Sequence, residues 1–143
     1  MPVWFLWRDG TAMIMSEPHT VKVANVRHDS PALLHRHTDE TGNNVVILSG
    51  TATISERDSA QWLPEIGDAY TAKYAEGMRR FGSGLDEIAA QYSTVIVLTP
   101  THLDSHQNLH LWPQVATALI ELALDREIRA VRLTRTAPVS YTH

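Results

Sequence analysis

The 143-residue sequence contains no cysteine, which excludes disulfide scaffolds, cysteine–zinc sites, iron–sulfur ligation and thiol catalysis. It has no excess of positive charge, since its net charge is −4, and binding of nucleic acid through a basic surface is therefore not expected. No segment reaches the roughly 18 consecutive apolar residues that predict a membrane-spanning helix. The first ten residues also lack the basic start and apolar run of a signal peptide, so we expect a cytoplasmic protein.

The residues that are present favour one folded domain with a distinct tail. Hydrophobic residues make up 43% of the chain and charged residues 20%, which is enough apolar side chain for a core. Residues 1–106 are acidic on balance, whereas residues 107–143 are slightly basic. Apolar residues in the tail recur at helical spacing and predict a long amphipathic helix: Val115, Leu119, Ile120, Leu122, Leu124, Ile128 and Val131. We therefore predict a domain over 1–106 and a helical extension over 107–143.

The first half of the chain has the pattern of short strands. The apolar run Val3–Trp7 is followed by Asp9-Gly10, a strong signal for a two-residue hairpin turn. Thr20 is placed to begin a short helix over 21–28. Further strands are expected at 11–15, 32–37, 45–48 and 51–55, with Gly50 as a bulge or a point of close backbone approach.

The second half combines helices with one apolar strand. Residues 62–80 have apolar side chains at helical spacing, and Ser83 precedes two acidic residues as at a helix start. The continuous apolar run Val95–Leu98 predicts a central strand, which we expect Thr99-Pro100 to end. These elements predict an α+β domain built on a small antiparallel barrel.

Lysine is scarce, and its placement suggests an anion site. Only Lys22 and Lys73 occur, and Lys22 lies in the first turn of the predicted helix. A helix N-terminus carries free backbone N–H groups and a partial positive charge, to which Ser16 and Thr20 would add hydroxyls. A phosphate suits these groups, although a capped surface helix with one solvated lysine explains the same pattern.

Several segments, taken in order, resemble one known family. These segments are 2–7, 9–10, 15–27, 44–52, 70–74 and 92–97. Over about residues 2–102 the chain resembles the pyridoxamine 5′-phosphate oxidase-like split-barrel flavoproteins, and most closely their actinobacterial branch that uses the deazaflavin coenzyme F420. The resemblance implies an α+β fold with an FMN-binding split β-barrel. This chain departs from the family's pattern, because the usual N-terminal strand is missing and the tail adds the C-terminal helix that its apolar spacing predicts.

The resemblance also implies a cofactor site and a dimer. It places the strand that lies along the cofactor ring at Val3, Trp4 and Phe5, and the phosphate-binding groups at Ser16, Thr20 and Lys22. Asn44 falls near a polar position that reaches the ring. Members of this family are homodimers with each cofactor between two barrels, so we expect a homodimer here.

The expected function follows from that resemblance. It is an F420-dependent or FMN-dependent oxidoreductase that transfers a hydride to or from a small conjugated substrate. The alternative is a non-catalytic protein that holds a flavin, deazaflavin or tetrapyrrole, or a degenerate split barrel that acts through protein contacts. Hydride chemistry belongs to the cofactor, and therefore no catalytic side chain is assigned.

Histidines provide a second hypothesis, a metal site. His102, His106 and His110 recur every four residues, a spacing that would align them on one face of a helix. Thr99-Pro100 disfavours a continuous helix there, so no metal is expected. The pair His35 and His37 shares one strand face, where solvated side chains are the simpler interpretation. No nucleophile-elbow pattern supports Ser-His-Asp catalysis.

Overall fold

The computed structural model describes residues 3–37, 45–105 and 130–131, and these residues form a small α+β arrangement. The strands are β1 (Phe5–Arg8), β2 (Thr11–Ser16), β3 (Pro31–His37), β4 (Val45–Ile54), β5 (Thr94–Ser105) and β6 (Ala130–Val131). The helices are α1 (Val21–His28), α2 (Ser59–Phe81) and α3 (Leu85–Gln91). The strand order is β1-β2-β5-β4-β3, and β6 pairs with β5. The α+β class is thus confirmed, whereas this strand order does not establish an FMN-binding split barrel.

The hairpin β1–β2 forms where the sequence predicts it. Asp9 and Gly10 have φ values of 47° and 74°, so both central residues of the two-residue turn have the left-handed conformation that matches the twist of the strands. Arg8 pairs with Thr11 at the turn, and Phe5 pairs with Ile14 at the other end. Helix α1 also has the predicted bounds of 21–28.

The core is built on the pairing of β2 with β5. Residues 12–16 of β2 are all buried, and Met13 and Met15 pair with Val97 and Val95 in antiparallel register. The central position predicted for residues 95–98 is therefore confirmed. The predicted end at Thr99-Pro100 is wrong, since β5 continues to Ser105.

The absence of a side chain at Gly50 allows β4 to approach β5 closely beside Pro100. A Cβ atom at Gly50 would lie 2.1 Å from the Thr99 carbonyl oxygen and 2.8 Å from the Pro100 Cα. No side chain fits there, so the predicted close approach is confirmed. The strand is also continuous through Gly50, where the sequence suggested two pieces.

Helix α2 begins three residues earlier than its apolar spacing indicates. The Asp58 side chain accepts a hydrogen bond from the Gln61 backbone N–H at 2.8 Å, and the Gln61 side chain accepts one from the Asp58 N–H at 2.9 Å. This reciprocal capping box satisfies two free donors. The helix ends at Gly82 in the left-handed conformation. Its buried side chains Ile66 and Tyr70 join the core cluster with Leu6, Met13, Met15 and Val95.

The described residues divide into two compact units. The first comprises residues 3–32 and 50–100, which include β1, β2 and all three described helices. In the second, which has its described residues in 33–37, 45–49, 101–105 and 130–131, Thr101 donates a hydrogen bond to the Ser49 carbonyl at 3.3 Å. Among the described residues, no helix is long and apolar enough to cross a membrane.

The tail has one described element, and it is a strand. Ala130 and Val131 form β6, which runs parallel to β5 and pairs with His102 and Leu103. The prediction that Val131 belongs to an amphipathic helix is therefore wrong at that residue. The other residues of 107–143 lie outside the described part of the chain, and the boundary at residue 106 stays a prediction.

Candidate functional site

The first unit contains a cavity of about 320 Å³ between the segment that precedes β1, the β2–α1 corner and the helices α2 and α3. Most of its wall is aromatic or aliphatic, with a small charged and polar part at the β2–α1 corner. The lining residues are Val3, Trp4, Met15, Glu17, Thr20, Lys22, Tyr70, Phe81, Ile88 and Tyr92. This volume suits a small ligand, because it lies at the lower end of the range of small-molecule sites.

Aromatic rings from α2 surround Trp4. The Trp4 ring is stacked on Tyr74 with centroids 4.7 Å apart and planes 5° apart. Phe81 meets Trp4 edge-on at 5.6 Å, and Tyr70 is tilted at 6.4 Å. Gly77 makes this packing feasible, because a Cβ there would lie 2.7 Å from Trp4 Cζ2. One face of α2 therefore holds the indole in place as a wall of the cavity.

Side chains from α2 also form hydrogen bonds with the backbone of β1. The Tyr74 hydroxyl accepts a hydrogen bond from the Phe5 N–H at 2.8 Å and donates one to the Phe5 carbonyl at 2.7 Å. The Lys73 Nζ donates to the same carbonyl at 2.6 Å and lies 3.8 Å from the Phe5 ring centroid. The backbone groups of Phe5 are therefore already paired within the protein.

The β2–α1 corner is an internally bonded turn. Ser16 is fully buried, and its hydroxyl lies 3.0 Å from the Thr20 hydroxyl. Both hydroxyls also lie within hydrogen-bond distance of the Glu17 carbonyl, at 3.1 and 3.2 Å, so their two protons are shared among these three contacts. These bonds satisfy the two hydroxyls locally and set the direction in which the chain enters α1.

Two opposite charges line the cavity near this corner. Glu17 contributes a carboxylate, which accepts a hydrogen bond from the Gln91 side-chain amide at 2.9 Å. Lys22 contributes an ammonium group from the first turn of α1. A mixed pair of this kind suits a neutral polar ligand better than a phosphate, because Glu17 repels an anion.

Tyr70 brings a phenol into the otherwise apolar part of the cavity. Its side chain is 2% exposed, and burial, with smaller effects from Tyr74 and Tyr92, raises the pKa of its hydroxyl well above the usual value. The phenol therefore stays neutral and remains a hydrogen-bond donor across the physiological pH range.

The structure brings together four of the seven residues expected at a binding site: Val3, Trp4, Thr20 and Lys22 line the cavity. Phe5 and Ser16 lie beside it with the internal bonds described above, and Asn44 lies outside the described residues. The sequence analysis missed Glu17 and Tyr70. The four-residue interval between Tyr70 and Tyr74 indicates a shared helix face, but it does not show which tyrosine reaches a cavity.

Comparison with known proteins decides the family. A family model described as YdjC-like protein matches residues 11–142, which is most of the chain. The chain belongs to the YdjC-like family. No curated protein matches this YdjC-like chain.

Family membership corrects the expected identity. The assignment to the pyridoxamine 5′-phosphate oxidase-like split-barrel flavoproteins is wrong, and so are the oxidoreductase function and the F420 or FMN cofactor. The geometry gives a physical reason: on the segment expected to lie along a cofactor ring, the N–H and C=O groups of Phe5 are already bonded to Tyr74 and Lys73. The hydroxyls of Ser16 and Thr20 form a hydrogen bond with each other, and the negative charge of Glu17 repels a phosphate. The resemblance was based on short segments of sequence, and such segments contain no information about contacts between residues far apart in the chain.

The histidine hypothesis receives no support from the described residues. Within them no group of three His, Asp or Glu side chains could hold a metal ion. His102 lies on strand β5 with its Nδ1 2.8 Å from the Thr101 hydroxyl, so it is not on a helix. His106 and His110 lie outside the described residues.

Proposed function

We propose that this protein binds an acetylated carbohydrate unit in the cavity beside the β2–α1 corner and acts as a carbohydrate deacetylase-like enzyme. Membership of the YdjC-like family supports the substrate class and the reaction. The location rests on one observation, a cavity of about 320 Å³ that has an aromatic wall and a charged corner.

Such a cavity has the chemistry that a sugar ring requires. The C–H face of a pyranose is apolar and packs on aromatic rings, which Trp4, Phe81 and Tyr92 provide here. Its hydroxyl groups both donate and accept hydrogen bonds, and Glu17 and Lys22 offer one partner of each kind. A neutral sugar is not repelled by either charge.

The proposed reaction is hydrolysis of an acetamide. Water adds through its oxygen to the acetyl carbonyl carbon, the carbon–nitrogen bond breaks, and the products are acetate and the free amino sugar. The attacking water must lose a proton and the leaving nitrogen must gain one. We assign Glu17 as the carboxylate that accepts the water proton and returns it to the nitrogen, because it is the carboxylate among the lining residues.

Binding and acetate release test the proposal together. Trp4 in the cavity wall should make the intrinsic fluorescence respond to N-acetylglucosamine, and the purified protein should release acetate from it. Glu17→Gln should lower acetate release about 100-fold, as expected for loss of a general base, while retaining binding. The matched control is Glu56→Gln, which changes an exposed carboxylate that does not line the cavity.

Each outcome has a clear meaning. Sugar binding without acetate release would contradict the enzymatic part and leave a carbohydrate-binding protein. Fluorescence quenching by FMN or F420, with no response to the sugar, would contradict the whole proposal. Homodimer formation and a cytoplasmic location stay predictions, which sedimentation and cell fractionation can test.

A further inference from the structure

The hydroxyls of Tyr70 and Tyr74 differ in their hydrogen bonding. Within the described residues, no side chain or backbone group forms a hydrogen bond with the Tyr70 hydroxyl, although Tyr74, four residues later, bridges the N–H and C=O of Phe5. Tyr70 is also almost fully buried, with 2% of its surface exposed. Because this hydroxyl has no partner among the described residues and is not one of their buried, unsatisfied atoms, it is accessible from the cavity that Tyr70 lines, where a ligand oxygen can accept its proton.

The surroundings of Tyr70 restrict what that ligand group can be. Met15, Ile88 and Trp4 line the same cavity with apolar atoms. A charged group on this apolar part of the wall would lose its hydration, because the charged residues of the lining, Glu17 and Lys22, belong to the β2–α1 corner. A neutral oxygen next to a small apolar group meets both requirements, because the oxygen accepts a hydrogen bond and the apolar group packs on aliphatic side chains. An acetyl group has this composition, a carbonyl beside a methyl.

We infer that Tyr70 is the specificity-determining residue that donates a hydrogen bond to the acetyl carbonyl oxygen of the sugar. This inference rests on the proposed carbohydrate function and adds the means by which an acetylated unit is distinguished from the free amino sugar. The carbonyl of the acetylated sugar accepts the hydroxyl proton, whereas the ammonium of the free amino sugar cannot accept it. The free amino sugar would therefore leave the phenol unpaired.

The test compares Tyr70→Phe with Thr71→Val, which removes an exposed hydroxyl from the neighbouring position of α2, outside the cavity lining. The probes are N-acetylglucosamine and glucosamine, and the readout is the ratio of their dissociation constants. Tyr70→Phe should weaken binding of N-acetylglucosamine about 5- to 10-fold, as for one hydrogen bond, and leave glucosamine unchanged. Thr71→Val should leave the ratio unchanged.

The outcomes separate this inference from the proposed function. If the unaltered protein binds N-acetylglucosamine and Tyr70→Phe keeps the same ratio, Tyr70 does not set specificity and only this inference is overturned. If the unaltered protein binds neither sugar, both are overturned. Should Tyr70→Phe fail to fold, the 2-thioacetamido analogue gives the answer with the unaltered protein. Sulfur is a weak acceptor, so weaker binding is expected and equal binding would contradict the inference.

Discussion

Two tyrosines one turn apart on α2 use their hydroxyls differently. The Tyr74 hydroxyl forms hydrogen bonds with both the N–H and the C=O of Phe5 in β1. Tyr70 lines the cavity, and its hydroxyl has no hydrogen-bond partner among the described residues. The rings themselves contact each other, with centroids 4.9 Å apart. The effect of removing each hydroxyl on stability depends on whether that hydroxyl is hydrogen-bonded, because removing a bonded group leaves its former partner unpaired.

Tyr74→Phe should therefore destabilise the protein more than Tyr70→Phe does. Loss of the bridge leaves the Phe5 N–H without its acceptor, and we expect the free energy of unfolding to fall by about 1–2 kcal/mol. Tyr70→Phe removes a hydroxyl that no described residue binds, so little change is expected. Urea denaturation of both variants measures the difference, and equal losses would contradict the assigned roles.

Glu65 predicts a pH dependence of stability. It forms ion pairs with Arg57 at 2.7 Å and with Arg8 at 2.9 Å. The hydrogen bond from Arg57, followed by the charges of Arg57 and Arg8, holds the pKa of Glu65 below 4.5 against an opposing effect of desolvation. Because the folded pKa is lowered, the stabilisation is complete above the unfolded pKa near 4.5 and disappears as the pH falls through the folded value.

Glu65→Gln should consequently lower the unfolding temperature at pH 7, and the gap to the unaltered protein should close as the pH falls below about 4.5. Thermal unfolding followed by circular dichroism across pH 3–7 gives this comparison. Glu56→Gln is the control for a generic change in charge. A gap that stays constant across this range would show that the ion pairs do not stabilise the fold.

At the level of elements, α2 connects the core to the cavity. Its capping box sets where it begins, its buried face packs on the hairpin, and its last turns carry the rings around Trp4. Tyr74 has non-helical angles, φ −119° and ψ 16°, at the residue whose hydroxyl reaches Phe5. The contact between α2 and β1 therefore coincides with a local departure from helical geometry.

Two glycines on α2 allow a matched test of this packing. Alanine is the better helix former by up to about 1 kcal/mol, so Gly67→Ala should be neutral or stabilising, because its Cβ would meet only Leu85 Cδ2 at 3.4 Å. Gly77→Ala should instead cost about 1–3 kcal/mol, as overpacking does, because the Cβ would lie 2.7 Å from the Trp4 ring.

Chemical denaturation and the tryptophan emission spectrum together measure both glycine variants. We expect Gly77→Ala to shift the emission as Trp4 moves, and Gly67→Ala to leave it unchanged. Stabilisation by Gly77→Ala with an unaltered spectrum would contradict the close contact between α2 and Trp4.

On the scale of the whole molecule, the tail is tied to the sheet through β6. Pairing of Ala130 and Val131 with His102 and Leu103 covers part of one edge of β5. Deleting residues 107–143 removes β6 and leaves backbone donors and acceptors of β5 unpaired there, and such edges promote association of chains. We expect the shortened protein to aggregate or to lose the predicted dimer.

Sedimentation of the full and shortened chains at equal concentration checks this expectation. The unaltered chain provides the reference mass. A shortened chain that stays monodisperse with the same number of subunits would show that the tail is dispensable for assembly.

The prediction of the fold succeeded for the hairpin, α1 and the central strand, where the relevant forces act between neighbours in sequence, but it missed the start of α2 and the end of β5. Asp9-Gly10 adopts a tight turn because its own backbone preferences demand it, and the apolar run at residues 95–98 enters the core because of its own side chains. The candidate site was only partly predicted. Thr20 and Lys22 were found through their place at a helix start, whereas nothing local distinguishes Tyr70 from Tyr74.

The sequence by itself determined the hairpin, the first helix, the central strand and the absence of thiol chemistry, since each depends on residue types and short-range periodicity. Only the tertiary structure decided which groups remain available for a ligand. Tyr74 and Lys73 reach Phe5 across 69 and 68 positions of the chain, and Glu17 shares a cavity wall with Tyr70. Hydrogen bonds and burial between distant segments depend on how the chain folds in space, so no local pattern contains them.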